Sequence, residues 1–145
     1  MDTLYLVIPC YNEEEVLPET SKQLLAKMQS LMAAEKISEK SRIVFVNDGS
    51  KDRTWEIIQA LHQENPIYQG VCLSRNRGHQ NALLGGLMTV KNHCDMAISL
   101  DADLQDDIDA IDEMVDKYYA GNPVSGALPR NGAAAHSGPR PPWAR

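Results

Sequence analysis

Apolar positions in this chain fall into two patterns that take turns. Short unbroken runs alternate with longer stretches in which apolar residues recur every three or four positions. The first run is Leu4-Tyr5-Leu6-Val7-Ile8, closed by Pro9. From Val16 to Met32, the residues Val16, Leu17, Leu24, Leu25, Met28, Leu31 and Met32 keep a helical spacing. Arg42 to Val46 is a second run, and Thr54 to Leu61 a second helical stretch with Trp55, Ile58 and Leu61 on one side. Tyr68 to Leu73 and Met96 to Leu100 are further runs. Gln80 to Val90 and Ile108 to Tyr119 are further helical stretches. Runs without polar alternation predict strands buried on both faces, as in a parallel sheet covered by helices. The order βαβαβαβα predicts an α/β fold: a parallel-sheet α/β sandwich of Rossmann-like βαβ units with right-handed crossovers.

In such sheets ligands bind outside the carboxyl ends of the strands. Every polar cluster of the chain falls at one of those ends. They are Pro9-Cys10-Tyr11-Asn12-Glu13-Glu14, Asn47-Asp48-Gly49-Ser50, Ser74-Arg75-Asn76-Arg77-Gly78-His79, and Asp101 to Asp106. The last is the most telling. Asp101 and Asp103 stand one residue apart where a buried strand leaves the sheet. Two carboxylates held close repel unless a cation lies between them. Hard divalent cations take oxygen ligands and complete their shell with water and substrate phosphates. A solvated acidic loop capping the next helix is the alternative. Asp48 can accept hydrogen bonds from a base or ribose, or close a plain strand–turn–helix connection. Asn12 suits the cap of the first helix and Glu13 to Glu15 its N-terminal dipole, and Asn12 or Glu14 can also stand beside a ligand. Arg75 and Arg77 bring guanidiniums, suited to phosphate, to a glycine-bearing turn at a helix start.

Other readings of the acidic loop fail on detail. An EF-hand loop beginning at Asp101 needs Gly at its sixth position and Glu at its twelfth, where this chain has Asp106 and Asp112. The first strand is followed by PCYNEEE, which has no glycine, so the dinucleotide fingerprint is absent, and so is a P-loop.

Length and charge narrow the function classes. The 145 residues suit one domain with a single core. A net charge of −6 argues against a nucleic-acid binder, which normally carries a basic patch. Cys10, Cys72 and Cys94 are widely spaced, each in or beside an apolar run, and read as reduced buried thiols of a cytoplasmic protein. No stretch reaches the roughly 18 apolar residues of a membrane span. The segment 121–145 is rich in Gly, Ala, Pro and Arg and contains no acidic residue, so it is expected to be a disordered tail outside the domain 1–120.

Taken together, VIPCYNEEE, VFVNDGSKDRT, LSRNRGHQNALLGGL and SLDADLQDD, in this order, resemble the family 2 glycosyltransferases of the GT-A fold. The resemblance covers roughly residues 3–120 and is strongest to the polyprenyl-phosphate sugar transferases. It implies transfer of a sugar, with inversion, from a UDP- or GDP-linked donor to a polyprenyl phosphate. It also implies a divalent metal, Mg²⁺ or Mn²⁺, on Asp101 and Asp103. The residues it implies at the donor are Pro9, Tyr11, Asn12, Glu14, Asp48, Arg75, Asn76, Gly78, Asp101, Gln105 and Asp106. Relatives of this kind work at the cytoplasmic face of a membrane and continue into an acceptor half and transmembrane helices. The chain is therefore expected to be the donor-binding part. The alternative to a working transferase is a nucleotide-sugar-binding fragment without turnover.

Overall fold

The computed structural model describes residues 2–103, 108–121 and 127–129. In chain order the elements are β1 (Leu4–Cys10), α1 (Leu17–Ala33), β2 (Arg42–Asn47), α2 (Thr54–Glu64), β3 (Tyr68–Cys72), α3 (His79–Val90), β4 (Met96–Ser99), α4 (Ala110–Tyr119) and β5 (Ala127–Pro129). They form one sheet of order β3-β2-β1-β4-β5, parallel from β3 through β4. The predicted α/β architecture is the observed one.

The unbroken runs are explained by the two faces of the sheet. Along β1, Leu4, Leu6 and Ile8 pack with Ile43, Phe45 and Ile98 into a core closed by α1, α2 and α4. Val7, between them, points the other way, into a second cluster with Val44, Val46 and Ala97 under α3. Alternate side chains of a strand face opposite sides, so a strand covered on both needs apolar residues throughout. The helix on the second face lies very close to the sheet. A Cβ on Gly86 would stand 2.6 Å from Val46 Cγ2 and 2.7 Å from Val7 Cγ1. Only glycine permits that approach.

Three expectations change. Pro9 does not end β1, which runs on to Cys10 and keeps Pro9 opposite Val46. Val7 accepts a hydrogen bond from Leu100 on the β4 side, and Cys10 accepts one from Asp48 on the β2 side. By that alternation, Pro9 turns its donorless nitrogen toward β4, whose ladder with β1 ends at Ser99. The missing N–H costs no ladder bond, which is where proline is tolerated in a sheet. Second, Cys10 and Cys94 are buried but Cys72 is exposed, because β3 is an edge strand and its end is left uncovered. Third, the tail is not wholly irregular. Ala127, Leu128 and Pro129 pair antiparallel with Ile98, Ala97 and Met96. An open sheet edge offers N–H and C=O groups to any extended segment, so backbone pairing does not depend on the composition that suggested disorder. The rest of the tail after Gly121 lies outside the described residues.

Candidate active site

The chain runs from β1 outward through β2 to β3, then returns to place β4 on the other side of β1. Strand order reverses there, and a crevice opens at the carboxyl ends. A cleft of about 320 Å³ occupies this position. It is lined by Pro9, Cys10, Tyr11 and Glu13 after β1, Asp48 after β2, Asn76 and Gly78 after β3, and Asp101, Ala102 and Asp103 after β4. All four polar clusters contribute.

The loops are tied to one another by hydrogen bonds between distant residues. Asn12, at φ 53°, donates its N–H to Ser50 Oγ at 2.9 Å, and its Oδ1 accepts the Lys51 N–H at 2.8 Å. Glu13 N–H reaches Thr54 Oγ1 at 2.8 Å, and Glu14 N–H reaches Asp52 Oδ2 at 3.2 Å. Asp52 also accepts from the Thr54 N–H and hydroxyl. Partial burial pushes the Asp52 carboxyl up, but these bonds together outweigh it and hold its pKa below the ordinary value. A depressed folded-state pKa means the stabilisation is complete above the unfolded value, near 3.8, and fades as pH falls through the folded one. Asp52→Asn should therefore lower stability to urea at pH 7, and the gap to the unaltered chain should shrink below about pH 4. A gap that stays constant down to pH 2 would contradict this.

Asp48 is 3% exposed. Its Oδ1 accepts the Arg77 N–H at 2.6 Å, so it pins the turn after β3 as well as lining the cleft. That turn is closed further by Gly78 N–H to Asn76 Oδ1 at 2.9 Å and by Asn81 Nδ2 to the Arg77 carbonyl at 2.8 Å. Gly49, at φ +69°, lies against it: a Cβ there would be 2.3 Å from the Asn76 nitrogen.

The acidic loop is shaped by alternation. Ala102 is buried, while Asp101 and Asp103 on either side are exposed at the cleft. The Ala102 carbonyl accepts the hydroxyl of Thr20, from α1, at 2.6 Å.

Of the residues expected from sequence, Pro9, Tyr11, Asp48, Asn76, Gly78, Asp101 and Asp103 line the cleft. Asn12, Glu14 and Arg75 stand beside it; Asn12 and Glu14 hold the β1 loop onto the β2 loop. Gln105 and Asp106 lie outside the described residues. Cys10, Glu13 and Ala102 line the cleft without having been singled out. Burial, and then the charge of Glu13, push the Cys10 thiol far up, so it stays protonated and is no nucleophile at neutral pH. Among the described residues no three His, Cys, Asp or Glu side chains gather as a metal cage.

The sequence matches the Glycosyl transferase family 2 profile over residues 5–143. The chain belongs to that family. It is 50% identical over 118 residues to the uncharacterized glycosyltransferase YkoT of Bacillus subtilis, covering 81% of this chain and 35% of that protein. It is 40% identical over 116 residues to the bactoprenol glucosyl transferase of Shigella phage SfV, covering 80% and 35%. The chain thus spans about a third of the length of these family 2 relatives. Among solved structures, S. aureus TarS 1-349 in complex with UDP aligns with a TM-score of 0.57 at 18% identity, over 81% of this chain and 33% of that one. The mannosyltransferase PcManGT from Pyrobaculum calidifontis, in complex with GDP-Man and Mn²⁺, aligns with a TM-score of 0.53 at 19% identity, over 70% and 28%. At this level of identity the likeness is one of fold.

Proposed function

We propose that the cleft binds the nucleoside diphosphate of a sugar donor. In the complete protein that donor would pass its sugar, with inversion, to a polyprenyl phosphate. The observation that carries this reading is the convergence of all four strand-end loops on one crevice. Asp48, a buried acceptor, stands on the β2 loop, and the exposed carboxylates Asp101 and Asp103 stand on the β4 loop. A base or ribose offers donors that Asp48 can accept. Tyr11, 44% exposed at the cleft, offers a flat apolar wall. Gly78, at the start of α3, places the positive end of a 12-residue helix at the cleft, where a diphosphate is favoured.

The donor set fits a divalent metal. Mg²⁺ is commonly held by one or two carboxylates, with phosphates and water completing its shell. Asp101 and Asp103 supply hard oxygens of that kind, and a bound metal would neutralise charge on the leaving diphosphate. The GDP-Man and Mn²⁺ bound by PcManGT support this assignment. The bactoprenol glucosyl transferases among the relatives support a polyprenyl-phosphate acceptor. A lipid phosphate is largely ionised at neutral pH, so the acceptor needs little help from a general base. In-line placement of acceptor and donor then supplies much of the rate.

Calorimetric titration with UDP and with GDP, each with Mn²⁺ and with EDTA, tests the reading. One of the two should bind with a dissociation constant roughly between 1 μM and 1 mM, and EDTA should abolish most of it. Absence of binding by both nucleotides in Mn²⁺ would overturn the proposal.

A further inference from the structure

We infer that Thr20, on α1 and outside the cleft, is a positioning residue that sets the Asp101–Asp103 pair. The inference rests on the metal–diphosphate reading above and asks what holds the two carboxylates in register.

Thr20 is 4% exposed, and its hydroxyl donates to the Ala102 carbonyl across 82 residues of chain. A threonine within a helix commonly turns its hydroxyl back to a carbonyl one turn earlier on its own helix. Here the hydroxyl leaves α1 and reaches the acidic loop instead. The bond falls on the peptide unit that joins Ala102 to Asp103. That unit is planar and rigid, so fixing its oxygen fixes the direction in which Asp103 leaves. Ala102, packed in the core with Ile98, Leu100 and Ile111, fixes the other coordinate of the same unit. The loop's far end is held from the same helix. Lys27, two turns beyond Thr20, pairs with Asp112 and, at 3.7 Å, with Asp109. Thus α1 grips the chain both where it leaves β4 and where it enters α4.

Two like charges that must share one cation need their oxygens placed closely. The cost of misplacement falls on the metal, not on the base end of the cleft around Asp48. Residues that orient metal ligands without touching the metal typically contribute about 10–100-fold in metal affinity. Removing the Thr20 hydroxyl should therefore separate metal-dependent binding from nucleoside binding.

The test uses the full chain unaltered and as Thr20→Val, Thr20→Cys and Thr20→Ser. Two quantities are measured in each. One is the Mn²⁺ concentration that half-saturates UDP or GDP binding. The other is binding of the matching nucleoside, uridine or guanosine, followed by NMR without metal. Thr20→Val should raise the half-saturating Mn²⁺ about tenfold, leave nucleoside binding unchanged, and be rescued by Thr20→Ser. If the valine variant does not fold, Thr20→Cys, which keeps the size with a weaker donor, should show a smaller rise of the same kind. Equal Mn²⁺ requirements in the unaltered, valine and cysteine chains would overturn the inference while leaving the site reading intact. So would parallel losses of nucleoside and Mn²⁺ response, which mark a general loss of structure. If the unaltered chain shows no Mn²⁺-dependent binding, the site reading fails, and this inference with it.

Discussion

Replacing Gly49 with alanine should lower the midpoint of thermal unfolding by on the order of 5–10 °C and weaken nucleotide binding as well. Two costs coincide at this position. Gly49 has φ +69°, a region that side-chain-bearing residues enter with strain. An added Cβ would also lie 2.3 Å from the Asn76 nitrogen and 2.7 Å from the Arg75 carbonyl carbon. Those are backbone atoms, so no rotamer change relieves the contact. The turn after β3 would have to move, and it is the turn that Asp48 holds through the Arg77 N–H. Gly78 supplies the control. It too has positive φ, at +86°, but a Cβ there meets nothing within 4 Å. Gly78→Ala should carry the strain alone, of order 1–3 kcal/mol. Melting curves for the two variants therefore separate strain from collision. Equal losses would show that the β2 and β3 loops are not packed as tightly as the geometry requires.

The strands and helices were legible because their signals are local. Leu4 to Ile8 and Ile43 to Val46 are apolar at every position, since each strand lies between two helical layers. The rim was legible because the parallel sheet directs four successive loops to one end. What stayed hidden is the set of contacts between those loops. Nothing near Asp48 in sequence announces that its carboxylate accepts from Arg77, 29 positions on. Nothing near Asn12 shows that its side chain is used by the backbone of Lys51. Asn12 and Glu14 suggest ligand contacts in the sequence, and in the structure their own bonds also sew β1's loop to β2's. The part played by Ala102 is hidden for a related reason. An alanine between two aspartates carries no chemistry of its own, yet its burial turns both neighbours outward. β5 is not legible in the sequence, because edge pairing uses the backbone, which leaves no mark in side-chain pattern.

Asp103→Asn should weaken Mn²⁺-dependent binding of UDP or GDP by about 1.5–3 kcal/mol, or roughly 10- to 150-fold. The substitution keeps the size and one acceptor oxygen but removes the charge, and a hard divalent cation depends on that charge. Asp103 is exposed at the cleft. Its replacement leaves Ala102 buried and leaves the Thr20 hydroxyl on the Ala102 carbonyl. The side chain is exposed, so the substitution opens no cavity in the core. The unfolding temperature should therefore hold steady while affinity in Mn²⁺ falls. That contrast is diagnostic, because damage to the fold lowers both together. An acidic loop serving only as a solvated helix cap makes another forecast: a small stability loss and nucleotide binding that ignores both the substitution and the metal. Calorimetry in Mn²⁺ and in EDTA, run beside thermal melts of the same samples, decides between the two. Binding by the asparagine variant that matches the unaltered chain in Mn²⁺ would remove Asp103 from the site.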